Sequence, residues 1–143
     1  MDPATRPRPR IRGILAWPFV LAVGLVLGVY EGLIYAPPHG HEYVVWSLLL
    51  VMEALLLFGW LGPARGLAFL PLVIVAQDVS SLVAQGASPF TADWYRLYFG
   101  DNLLTRRDVG FPNWYVVGVF LTVVADLALA LPRRVAYTPS RSG

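Results

Sequence analysis

Four long apolar runs alternate along the chain with short polar breaks that carry proline or glycine. The runs fall at about residues 13–36, 43–62, 66–86 and 113–131, and each matches the ~20 residues that a helix rising ~1.5 Å per residue needs to cross a ~30 Å hydrocarbon layer. The pattern predicts an all-α integral membrane bundle of four transmembrane helices. Before it lies a basic tail, residues 1–12, and after it a second polar tail, residues 133–143. The first run, behind Arg6, Arg8, Arg10 and Arg12, has the basic start of a secretory signal. It exceeds the usual ~7–15-residue signal core and ends in Ile34, Tyr35 and Ala36, a poor cleavage site, so a spanning helix is expected.

Helical spacing then sorts the polar and small residues onto faces. Gly24, Gly28 and Gly32 recur every four residues, a ridge that admits another helix backbone, either within the bundle or from a partner helix. Trp46, Glu53 and Trp60 are seven apart. Asp78, Ser81 and Gln85 follow at spacings of three and four, and Tyr115, Gly118, Thr122 and Asp126 make a last inward stripe. The turn between the second and third runs, Gly62 to Gly66, is short enough to make them antiparallel neighbours. The longest connection, Gly86 to Gly110, carries Trp94, Tyr95 and Tyr98. It predicts a short helix over 93–99, capped by Ser88 or Thr91, lying as an outer interfacial segment over the mouth of the bundle.

Composition agrees with a membrane class: 57% of the 143 residues are hydrophobic and 14% charged, against ~25% charged in soluble domains. There is no cysteine, which removes thiol nucleophiles and Cys-type metal sites, and no cofactor is expected. The net charge of +2 arises from arginine alone, placed at the ends of the runs rather than in a stripe with stacking aromatics. That distribution excludes a nucleic-acid partner and points to the lipid bilayer. Arg6, Arg8, Arg10, Arg12, Arg65, Arg133, Arg134 and Arg141 fall on one side of the four spans, and Arg96, Arg106 and Arg107 on the other. The bias predicts a multi-pass protein of the cell membrane with both termini cytoplasmic.

The candidate chemistry is acidic. At ~1.5 Å per residue from the cytoplasmic ends, Asp126 lies about 9 Å deep, Glu53 about 14 Å, Asp78 about 20 Å and Glu31 about 27 Å. No basic residue lies within the runs to neutralise them. If the polar faces converge, Asp78, Glu53, Glu31 and Asp126 line one pocket as a ladder of proton-carrying groups. The plainer alternative is that each acid only hydrogen-bonds a neighbouring helix, for ~0.6 kcal/mol. His39, His41 and Glu42 could hold a metal at the outer mouth, but the glycine between the histidines and the lack of helical ligand spacing favour a solvated loop, so no metal is expected. Trp46, Trp94, Tyr95 and Tyr115 are the candidate walls for a hydrophobic small molecule.

The size and four-span layout resemble small multidrug-type transporters, which also carry a membrane-embedded glutamate. Their characteristic residues do not align here, and the arginine bias departs from their dual-topology members. In type of chemistry, though not in any motif, the buried acids beside aromatic walls resemble integral-membrane isoprenoid cyclases and sterol isomerases. The leading expectation is an integral-membrane enzyme with a buried carboxylic acid, Asp78 or Glu53, as general acid on a lipid or isoprenoid-like substrate. A proton-coupled transporter or channel, with protons as the ligand, and a non-catalytic subunit of a membrane complex are the alternatives.

Overall fold

A computed structural model describes residues 9–34, 42–90, 96 and 99–131, with side chains from residue 15 onward in the first stretch and from 45 in the second. His39, His41, Trp94, Tyr95 and most of the expected helix over 93–99 lie outside the described residues. Four helices and no strands occur among the described residues: α1 (Pro9–Ile34), α2 (Glu42–Leu61), α3 (Pro63–Ala84) and α4 (Asn113–Ala130). α1, α3 and α4 are long and apolar enough to cross a membrane; the described apolar part of α2, Val45–Leu61, is shorter. Two helix starts come earlier than the hydrophobic pattern marks. α1 takes in the end of the basic tail, and α3 begins at Pro63 because proline's fixed φ and missing N–H suit the first helical turn.

α3 is the centre of the molecule rather than one wall of a ring. α1, α2 and α4 each pack on it, and among the described residues α2 and α4 do not meet. The α2–α3 connection is the single residue Gly62, whose φ of 83° lies in the region glycine adopts without strain. Gly66 then passes so close to Phe58 that a Cβ there would overlap its ring.

α1 runs parallel to α3, with Gly24, Gly28 and Gly32 against successive turns of it. A Cβ at Gly24 would stand 2.7 Å from the Val73 carbonyl oxygen, and one at Gly28 would overlap the Gln77 carbonyl and Ser80 Oγ. The ridge is therefore taken up inside the chain, in backbone-to-backbone packing of α1 on α3. Ser80 Oγ spans the same seam, donating mainly to the Ala76 carbonyl at 2.8 Å and lying 3.3 Å from that of Gly24. Below it Ala16, Val20, Leu57, Phe69, Leu72 and Val73 form the apolar core, with Trp17 edge-on to Phe69 at 5.2 Å.

α4 runs antiparallel to α3. Tyr115, Gly118 and Thr122 are its buried residues, and Gly118 fits against Pro71 and Val75. The loop before it is tied to its first turn: Asn113 donates to the Leu103 carbonyl at 2.9 Å and to Asp108 Oδ2 at 2.7 Å, and Thr105 Oγ1 donates to the Gly100 carbonyl at 2.8 Å.

Candidate functional site

With a helix at the centre, the four acids cannot line one interior. The structure distributes them over separate seams around α3, and this revises the single converging ladder. Gln77 and Asp78 are adjacent, and the ~100° turn between consecutive helical residues sends one toward α1 and α2 and the other toward α4. The buried polar residues toward α1 are Gln77 and Ser81, four residues apart, with Asp78 on the neighbouring face beside Val75 and Pro71.

In the first seam, Gln77 Nε2 donates to Glu31 Oε2 at 3.1 Å, and the Ser81 hydroxyl is also within hydrogen-bonding reach of Glu31. Gln85 Nε2 donates in turn to Ser81 Oγ at 3.1 Å. Glu53 approaches from α2, whose buried stripe is Leu49, Glu53 and Leu57; its side chain is fully buried, and Trp46 is half-buried on the same helix.

In the second seam, Tyr115 Oη donates a short hydrogen bond to Asp78 Oδ2. Asp78 is six residues from the end of α3 at Ala84, or ~9 Å, so it belongs to the outer third of the helix rather than its middle. The Tyr115 ring also forms one wall of an apolar groove of about 390 Å³, bounded by Val79, Pro89, Phe90, Phe111, Val116 and Val119. That volume is within the ~300–1,000 Å³ usual for small-molecule sites. Phe90 and Phe111 pack edge to face beside it, with centroids 6.2 Å apart. Trp46 does not border the groove.

The third seam lies at the opposite end. Arg65, in the first turn of α3, donates to Asp126 Oδ1 from Nε at 3.1 Å and from Nη2 at 2.9 Å, and Trp17 Nε1 donates to Oδ2 at 3.2 Å. The expectation that no base reaches the acids fails at this point, because α3 starts early enough to place Arg65 opposite Asp126. Both carboxylate oxygens have donors, and the arrangement is a clamp between α1, α3 and α4.

Among the described residues no three His, Cys, Asp or Glu side chains gather as a metal site. Sequence reasoning missed Gln77, the Trp17 contact and the Arg65 pairing. The first had a signal, its four-residue spacing from Ser81 and Gln85. No family model, no curated protein and no solved structure matches the chain.

Proposed function

We propose that this chain is an integral-membrane enzyme in which Asp78 acts as general acid on a lipid or isoprenoid-like substrate lying in the groove between α3 and α4. One observation carries the reading: Tyr115 is at once the hydrogen-bond partner of Asp78 and a wall of the apolar groove. The chemistry that fits is isomerisation or cyclisation of an alkene. The Asp78 O–H bond breaks as a C–H bond forms on the alkene, leaving a carbocation on the adjacent carbon. Loss of a neighbouring proton back to the Asp78 carboxylate re-forms a double bond, so no proton is consumed. The hydrogen bond from Tyr115 stabilises the carboxylate while it carries charge, and the apolar walls keep the reacting carbons away from water. All four helices are taken as membrane spans in the cell membrane, with both termini cytoplasmic on the arginine count, and the groove then opens toward the outer leaflet.

The proton-coupled transporter is the weaker reading, because Asp126 is held by Arg65 and Asp78 accepts from Tyr115 beside the groove, so two of the four acids are engaged in local contacts. Comparing the lipids of cells with and without the protein tests the proposal. A prenyl or sterol-type isomer pair should shift toward product with the wild type and, with Asp78→Asn, fall by the ~10²–10⁴-fold typical of a lost general acid. An unchanged lipid profile, or full turnover by folded Asp78→Asn, would exclude the enzyme.

A further inference from the structure

The α1–α2–α3 seam contains three oxygen acceptors to which the described residues supply no donor. Glu53 is 0% exposed and neither of its carboxyl oxygens has a hydrogen-bond partner among the described residues; Gln77 is 1% exposed and its Oε1 is in the same position. Gln77 uses its amide N–H toward Glu31, which turns its oxygen to the other side of the seam. Glu53 belongs to the buried stripe of α2 and interacts electrostatically with Glu31, so the two carboxyls share one region. Buried acceptors left this way bear their full desolvation penalty, and native proteins retain few of them.

We propose that this seam binds one hard monovalent cation of the sodium type, held by Glu53, Gln77 Oε1 and Glu31. The donor set decides the class. Carboxyl and amide oxygens without imidazole or thiolate suit a hard ion, and the absence of a third acid among the described residues disfavours a divalent one. Charge balance agrees: the amide donation suits an ionised Glu31, and one cation with one proton shared between the two carboxyls leaves the buried site neutral. Size points to sodium over potassium, because Gly24 and Gly28 hold α1 in backbone contact with α3 at this level. The site uses Gln77 on the face of α3 next to that of Asp78, about 100° round the helix, and is independent of the enzyme reading.

The purified full chain in detergent would be tested by equilibrium dialysis with radiolabelled sodium and by Tm in sodium, potassium and choline chloride at equal ionic strength. Saturable binding of one sodium per chain and a higher Tm in sodium are expected. Glu53→Gln and Gln77→Leu should weaken binding by at least ~10-fold, the loss of roughly one good ligand, while Asp78→Asn retains it. Equal Tm in the three salts, or sodium binding that survives Glu53→Gln, would overturn the site, as would stabilisation that responds to protons alone. If Glu53→Gln does not fold, Gln77→Leu and the wild-type comparison of salts decide.

Discussion

The Asp126 clamp offers the sharpest separation of structure from chemistry, because sequence reasoning groups Asp126 with the functional acids while its contacts tie it to Arg65 and Trp17. At 2.9 Å and an effective dielectric of ~20, Coulomb attraction between unit charges has an upper bound of ~6 kcal/mol. Desolvation offsets much of that, and the two side chains keep 26% and 17% of their surface exposed, so the pair falls between a surface bridge at ~0–1 kcal/mol and a buried one at ~3–5. A coupling of about 2 kcal/mol follows from that intermediate exposure. The assay is a double-mutant cycle with Asp126→Asn and Arg65→Gln, read by reversible unfolding in mixed micelles. Asp126→Asn keeps an acceptor for Trp17, so the cycle isolates the charge pairing from the indole bond. Each single variant should lower stability, the double variant should lose little more than either, and lipid-converting activity per folded molecule should be unchanged. Coupling below ~0.5 kcal/mol, within the additivity error of independent sites, would refute the clamp. Activity lost without stability would return Asp126 to the catalytic group.

The glycine ridge makes a steric prediction: Gly28→Ala should destabilise by ~1–3 kcal/mol, the usual cost of overpacking, because the new methyl meets the Gln77 backbone, which cannot rotate away. Gly59→Ala, which has nothing within 4 Å of its Cβ, is the control, and the same unfolding assay reads both. Tyr115→Phe removes only the hydroxyl that donates to Asp78; turnover should fall at least ~10-fold at nearly unchanged substrate KM, whereas Val119→Trp should fill the groove and raise KM with Asp78 intact. Asn113→Ala should release the loop over 100–112 from α4, seen as faster amide exchange at Asp108 and Trp114 and a loss of ~1 kcal/mol at most, since Asn113 is only partly buried.

The helices were legible because apolar run length and the proline and glycine breaks report local conformation directly. Gly62 marks the α2–α3 turn in both readings, and the stripe Tyr115, Gly118, Thr122 and Asp126 is the face that α4 turns to α3. What the pattern could not contain is which helix stands in the middle. α3 mixes apolar and polar residues on its sides and has the lowest amphipathic contrast of the four helices, so nothing in its spacing says that three helices pack on it. The ladder of acids follows from assuming a ring of four helices and a hollow interior. Once α3 occupies that interior, Gln77 and Asp78 serve different neighbours, and Arg65 becomes a partner for Asp126 through the antiparallel register that also brings Tyr115 to Asp78.

A central helix with polar groups on more than one face also keeps the chemistry of those faces apart. Glu31 and Gln77 meet beside the glycine-packed seam, where Gly28 and Gly32 leave no room for a Cβ between α1 and the α3 backbone. Tyr115, the hydrogen-bond partner of Asp78, lines a groove together with Pro89, Phe90 and Phe111, which come from the segments after α3 and before α4. Those segments lie between α3 and α4, which pack along one seam, and Trp17 of α1 adds a hydrogen bond to Asp126 at its far end. A change in the groove therefore acts on the α3–α4 seam with its Arg65 and Trp17 contacts to Asp126, rather than on the glycine-packed α1–α3 seam.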